Sequence, residues 1–212
     1  NGSGSATANL TLMRSLFKMG IPVSGKNIFP SNIQGLPTWY TLRVNKNGYT
    51  ARVEKDDLIV AMNPATFSRD QSFLVPGGVV IYSDDINQAH TRDDVTYYPM
   101  PIKQLIKGVQ VPPALKDFIA NMVYVGVVGQ LLGIDPDAIY EALNFHFQHK
   151  KPPVESNFTV VRSAYDWAAE NLTKKDPYRV ERMNATQGLM LAEGNPAAAL
   201  GAIYGGVQFV GW

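Results

Sequence analysis

The first residues with the types and spacing for chemistry stand at the start, where Asn1-Gly2-Ser3-Gly4 runs straight into a helical pattern. Free backbone N–H groups and the helix dipole converge at such a turn and can hold an anion, with Gly2 and Gly4 as the contacts. A dinucleotide fingerprint also asks for a third glycine and an acidic residue about 20 positions on. Thr7 stands at the third glycine's place, and the next stretch offers Lys26 and Asn27 without a carboxylate. A phosphate site and a tight strand-to-helix turn both remain open readings. Gly20 to Lys26 has the glycine and lysine spacing of a phosphate loop, but Asn27 replaces the metal-binding hydroxyl and Pro22 removes an N–H from the cradle.

The loop Phe29 to Trp39 is a second candidate. Pro30, Gly35 and Pro37 constrain it while Ser31, Asn32, Gln34 and Thr38 offer polar groups. Loops held rigidly with polar groups exposed contact ligands or neighbouring domains; otherwise their side chains cap their own backbone. The histidines His146 and His149 are three apart, close enough to share a helix face, but Glu141 lies off that face, so packed or solvated histidines are expected. His90 has no evident partner, and Asp84-Asp85 and Asp93-Asp94 read as turn residues. No Gly-x-Ser-x-Gly elbow occurs, and no residue stands out as catalytic.

Composition narrows the classes. With 212 residues, 45% of them hydrophobic, the chain can bury a sizeable core. Nineteen basic and eighteen acidic side chains nearly cancel, which argues against nucleic acid or an anionic membrane as partner. The absence of cysteine removes disulfides, thiolate catalysis and cysteine-held zinc or iron–sulfur sites from this segment, and fits a cytoplasmic location. Five Asn-x-Ser/Thr sequons, at Asn1, Asn9, Asn157, Asn171 and Asn184, read as chance. The apolar stretch Phe118 to Ile134 is interrupted by Asn121 and Gln130 and falls short of the ~20 residues a bilayer needs, so a buried helix is expected rather than a membrane span.

These residues need a scaffold. Leu10, Met13, Leu16 and Phe17 recur at helical spacing, which predicts a helix over 6–19, stopped by Gly20 and Pro22. Strands are predicted at 21–24, 39–44, 57–62, 79–82 and 96–100. Asn47-Gly48 predicts a hairpin with a returning strand over 49–53, Pro76-Gly77-Gly78 a turn, and 65–73 a short helix. Helices follow over 113–133, 136–148 (with Asp135 as cap) and 155–172, with 149–153 a loop between the last two. Thr173 to Pro177 reads as a boundary, then comes an alanine-rich helix over 197–204 and a strand over 207–212. A strand is expected before residue 1, since a glycine turn opening a helix commonly follows one. The fold class is α/β, a Rossmann-like three-layer domain with a helical C-terminal part.

Taken in order, these motifs resemble the γ domain of 2-oxoacid:acceptor oxidoreductases. Phe29-Pro30-Ser31-Asn32-Ile33-Gln34-Gly35 is similar to that family's aromatic–Pro–Ser–x–Ile–Arg–Gly–Gly loop, with Gln34 and Leu36 where Arg and the second Gly are usual. Gly194 to Gly201 resembles the family's passage into a thiamine-diphosphate-type domain. The resemblance implies a γ-type domain over 1–175, then a linker and the start of the pyrimidine-binding domain over 176–212. It implies a parent complex that oxidatively decarboxylates a 2-oxoacid on thiamine diphosphate with magnesium, passes electrons through 4Fe-4S clusters to ferredoxin, and releases an acyl-coenzyme A. The partners implied are the β subunit, ferredoxin and the rest of the same subunit. Gly2 and Gly4 are the expected contacts for an anion at the glycine turn, and Ser31, Asn32, Gln34 and Gly35 are expected on the surface that faces coenzyme A. A purely structural assembly domain and a free nucleotide-binding α/β protein are the competing readings.

Overall fold

The structure, a computed structural model, describes residues 4–28, 37–109 and 113–211. The chain begins with α1 (Ser5–Lys18), whose apolar stripe of Ala8, Leu12 and Leu16 is buried. Gly20, at φ +78°, turns the chain back, and β1 (Val23–Ile28) pairs antiparallel with β2 (Trp39–Val44), from Val23 opposite Val44 to Ile28 opposite Trp39.

Three parallel strands form the sheet in the order β3 (Asp56–Ala61), β4 (Leu74–Ser83), β5 (Thr96–Met100). Both its faces are apolar, which is why the predicted strands read as short continuous runs rather than alternating ones. Leu58, Val60, Val79, Ile81, Tyr98 and Met100 join the main core with α1, α4 (Pro113–Leu132) and α6 (Lys151–Asn171). Ile59, Ala61, Val80, Tyr82 and Tyr97 face the opposite way, onto Phe67 and Ile86. That second side is thin, made by a 3-10 turn (Pro64–Thr66), α2 (Phe67–Ser72) and the segment 84–95. Three layers result, helices on one face being much the thicker.

α3 (Ile102–Leu105) is one turn long and leads towards α4. Residues 115–132 of α4 are apolar and long enough to cross a bilayer, but 61% of that stretch is buried inside the protein, as for a core helix. Gly126 lets α6 approach: a Cβ there would stand 2.3 Å from the Val161 carbonyl oxygen and 2.7 Å from Ala164 Cβ. α5 (Pro136–His146) is capped by Asp135, whose carboxylate accepts from the Asp137 N–H at 2.9 Å, as its place before Pro136 predicts.

After α6 the chain runs without regular structure along the domain. Asp176 accepts from Tyr98 Oη at 2.8 Å, Lys174 Nζ at 2.8 Å and the Tyr178 N–H at 2.9 Å. The Val180 N–H then donates to Leu132 O, Met183 N–H to Met19 O, Ala185 N–H to Gly20 O and Thr186 Oγ1 to Phe17 O, all at 2.8–2.9 Å. Beyond Thr186 burial ends. α7 (Gly194–Tyr204) has no buried residue.

Four expectations are corrected. Tyr49 to Val53 form no returning strand: the Gly48 N–H donates to Asn45 O at 3.0 Å and Asn47 N–H to Asn45 Oδ1 at 2.9 Å, a local turn that ends β2, and the exposed residues beyond it have no face to bury. β2 pairs backwards with β1 instead, which draws the polar residues Lys26 and Asn27 into a strand. Pro76-Gly77-Gly78 lies inside β4 as an irregularity, with Gly77 at φ +77°, not as a turn before it. Lys151-Pro152-Pro153 is the first turn of α6, where proline's missing N–H costs nothing. Residues 207–211 are irregular and mostly exposed, with no strand partner among the described residues.

Candidate functional site

Of the six residues predicted as contacts, only Gly4 falls within the described part; Gly2, Ser31, Asn32, Gln34 and Gly35 lie outside it. Gly4 takes φ +88° as the N-cap of α1, with no side-chain cap. A Cβ there would stand 2.7 Å from Phe118 Cα and 2.9 Å from its carbonyl oxygen. The glycine is therefore required by both the left-handed backbone and the close approach of α4. Tyr124 on α4 ties the same turn, its hydroxyl donating to Asn9 Oδ1 at 2.9 Å and lying 3.3 Å from Ser5 O, with burial pushing the phenol well above its usual range.

The stem of the 29–38 loop is well anchored. Trp39 Nε1 donates to Asp70 Oδ1 at 2.9 Å, and Thr66 Oγ1 donates to the other oxygen of that buried carboxylate at 2.7 Å. The Arg69 guanidinium lies 4.7 Å from the Trp39 ring centre. On the opposite side Tyr40 Oη reaches Met13 Sδ at 3.5 Å, and a Cβ on Gly25 would strike both groups. Gly25 thus sits level with Met13, more than one turn before the end of α1. The strand that leaves α1 runs back along it, carrying the Ile28–Trp39 end of the stem towards the end where α1 begins.

A third assembly was not legible in the sequence. His146, at the end of α5, lies between Thr7 and Arg14 of α1. Arg14 Nη1 donates to His146 Nδ1 at 3.0 Å, which assigns the ring proton to Nε2, and Nε2 lies 3.2 Å from Thr7 Oγ1 as its donor. Burial and then the Arg14 charge hold this imidazole below its usual range, so it is neutral. The Arg14 guanidinium also lies 5.1 Å from the Phe145 ring centre. Together with Gln148 and His149 these residues line an open cleft of about 420 Å³. Thr7 and Arg14 share a helix face by their seven-residue spacing, but nothing local links them to His146, far along the chain.

The remaining candidates are accounted for locally. Asp85 accepts from Ser83 and lies 3.3 Å from Lys103; Asp94 pairs with Arg92. His90 stacks on Tyr97 at 3.7 Å. Among the described residues no three His, Asp or Glu side chains converge as metal ligands.

Comparison with known proteins places this architecture. A sequence model described as pyruvate ferredoxin/flavodoxin oxidoreductase matches residues 1–167. The α subunit of 2-oxoacid:ferredoxin oxidoreductase 1 from Sulfurisphaera tokodaii is 23% identical over 98% of this chain and 38% of its own length. The α subunit of the second such enzyme of Aeropyrum pernix is 22% identical, over 99% and 39%. The chain thus spans about two fifths of the length of these relatives. Among solved structures, the Magnetococcus marinus 2-oxoglutarate:ferredoxin oxidoreductase, with 2-oxoglutarate, coenzyme A and succinyl-CoA bound, superposes with a TM-score of 0.75 at 23% identity, over 98% of this chain and 35% of that one. The γ subunit of a keto/oxoacid ferredoxin oxidoreductase from Geobacter sulfurreducens gives 0.61 at 15% identity, over 77% of this chain and 90% of its own. An α/β fold shared with a free-standing γ subunit, and a family match over most of the chain, lead to one conclusion: the chain belongs to the pyruvate ferredoxin/flavodoxin oxidoreductase family.

Proposed function

We propose that this chain is the γ-type domain, over 1–175, of a 2-oxoacid:ferredoxin oxidoreductase α subunit, followed over 176–212 by a linker and the start of the pyrimidine-binding domain. The observation that carries this reading is the family match over 1–167 together with α-subunit relatives aligned over nearly the whole chain. The assembly decarboxylates a 2-oxoacid, transfers the acyl group to coenzyme A and passes two electrons to ferredoxin. The likeness to a protein holding 2-oxoglutarate, coenzyme A and succinyl-CoA supports that chemistry. The β subunit, ferredoxin and the rest of the same subunit are its partners, in the cytoplasm.

Thiamine diphosphate, magnesium and the 4Fe-4S cluster belong to other parts of that assembly. This chain has no cysteine to hold iron, and its described residues gather no carboxylate and imidazole set for a cation. What the segment contributes is a surface. The 29–36 loop, with Ser31, Asn32, Gln34 and Gly35, faces the coenzyme A side, and the stem fixed through Trp39, Asp70 and Thr66 supports such a role. Replacing Asn32 and Gln34 with alanine in the intact complex raises KM for coenzyme A and leaves KM for the 2-oxoacid unchanged; an unchanged coenzyme A value sinks this role.

For the glycine turn the structural reading is the better supported. The approach of Phe118 accounts for Gly4 without any ligand. On that reading the domain's amino-terminal end is an assembly element.

A further inference from the structure

The cleft between α1 and α5 is built in a way that the proposed loop role does not use. Its lining consists of Arg14, Phe145, His146, Gln148 and His149, with no carboxylate. Among the described residues no carboxylate lies within ion-pair distance of Arg14, whereas Lys18, one turn on, is taken by Glu141 at 2.9 Å. The Arg14 guanidinium is fixed on two sides: it donates to His146 Nδ1, and it lies over the Phe145 ring. His146 is in turn fixed by Thr7, so the fork is aimed by a chain of contacts rather than left to wander. A pre-aimed guanidinium gives up little rotamer freedom on binding and keeps most of its donors for a planar or tetrahedral oxyanion. The opposite wall is also specialised. Gln148 and His149 are consecutive non-glycine residues in the left-handed region, at φ +52° and +63°, the only such residues in the described chain. That backbone costs on the order of 1 kcal/mol at each residue, and it carries both side chains to the cleft. Phe145 is 60% exposed beside them.

We propose that this cleft is an anion site that takes a phosphate group, with Arg14 as the principal donor and His149 as the second, and Phe145 as the apolar floor. The phosphate is offered either as free inorganic phosphate or as a peripheral phosphate of coenzyme A; only the second source rests on the function proposed above. Glu193, at the N-cap of α7, is near enough to act electrostatically on both Arg14 and Tyr40, and competes with the anion for the Arg14 charge.

The test uses the assembled enzyme, titrated with inorganic phosphate by equilibrium dialysis at constant ionic strength. The wild type binds phosphate saturably. Arg14→Gln weakens binding about tenfold or more, the size of one charge-assisted hydrogen bond. His149→Gln weakens it several-fold and Glu193→Gln strengthens it. Because Arg14→Gln also removes a bond to His146, its melting temperature is compared with that of wild type, and His149→Gln and Glu193→Gln, both of exposed residues, carry the test if it is destabilised. No saturable binding, or binding indifferent to the His149 and Glu193 variants, overturns the proposal. The sources separate on KM for coenzyme A and for dephospho-coenzyme A, which lacks the 3′-phosphate. If Glu193→Gln and His149→Gln shift the ratio of the two KM values, the phosphate is the substrate's; a constant ratio with altered phosphate binding assigns free phosphate. The reading fails separately from the loop's role, which is read on Asn32 and Gln34.

Discussion

Single residues decide how closely the segments of this domain meet. Gly20 has φ +78°, and a Cβ there would stand 1.9 Å from the Met183 carbonyl oxygen; Gly48 has a similar φ of +76° with open space around it. The backbone term is common to both and the clash belongs to one. Gly48→Ala is therefore expected to cost about 1 kcal/mol, and Gly20→Ala about 3 kcal/mol. Denaturant titration of the two variants side by side checks the difference. His146 gives a pH signature. Its folded value is depressed, so below about pH 6.5 the unfolded chain takes up a proton that the folded one resists, and stability falls as pH drops through that range. His146→Gln is expected to flatten the fall between pH 7.5 and 5, measured as the shift in unfolding midpoint. The glycines announced their turns in the sequence. Their partners Phe118 and Met183, and the pairing of His146 with Arg14, did not, because no periodicity connects residues so far apart.

At the scale of elements, the helices and the sheet were legible for plain reasons. Leu10, Met13, Leu16 and Phe17 repeat at helical spacing, and Leu58-Ile59-Val60-Ala61 and Val79-Val80-Ile81-Tyr82 are too short for helices and too apolar for surface strands. The hairpin was misread because Asn47-Gly48 carries the local turn signal while pairing was decided elsewhere, by the packing of Gly25 and Tyr40 against Met13. Two elements yield predictions. Gly126→Leu forces α4 off Val161 and Ala164 and is expected to cost about 3 kcal/mol or more, read by chemical denaturation. Asp70→Ala leaves Trp39 Nε1 without its acceptor and Thr66 Oγ1 with only the Asn63 carbonyl at 3.3 Å, which loosens the β1–β2 pair from α2. Hydrogen exchange is then expected to quicken across 23–28 and 39–44 while α4 and α6 keep their protection.

Over the whole molecule, the contrast lies between a packed unit that extends to Thr186 and the apolar segment after it. Tyr204 is 90% exposed and Phe209 86%. Large exposed apolar side chains in number mark a surface that another part of an assembly covers. On the proposed function that cover is the remainder of the same subunit's next domain. Tyr204→Glu with Phe209→Glu is expected to leave the melting of the core helices unchanged and to weaken assembly, seen as an earlier loss of the complex on dilution in size-exclusion chromatography. The central claim is a function of the assembly, and turnover tests it most directly. The native complex containing this chain is supplied with pyruvate, 2-oxoglutarate or 2-oxoisovalerate, and ferredoxin reduction is followed with and without coenzyme A. The account predicts that at least one of these 2-oxoacids drives reduction that depends on coenzyme A, with one acyl-CoA and one carbon dioxide formed per two electrons. Absence of coenzyme A-dependent reduction with all three contradicts it.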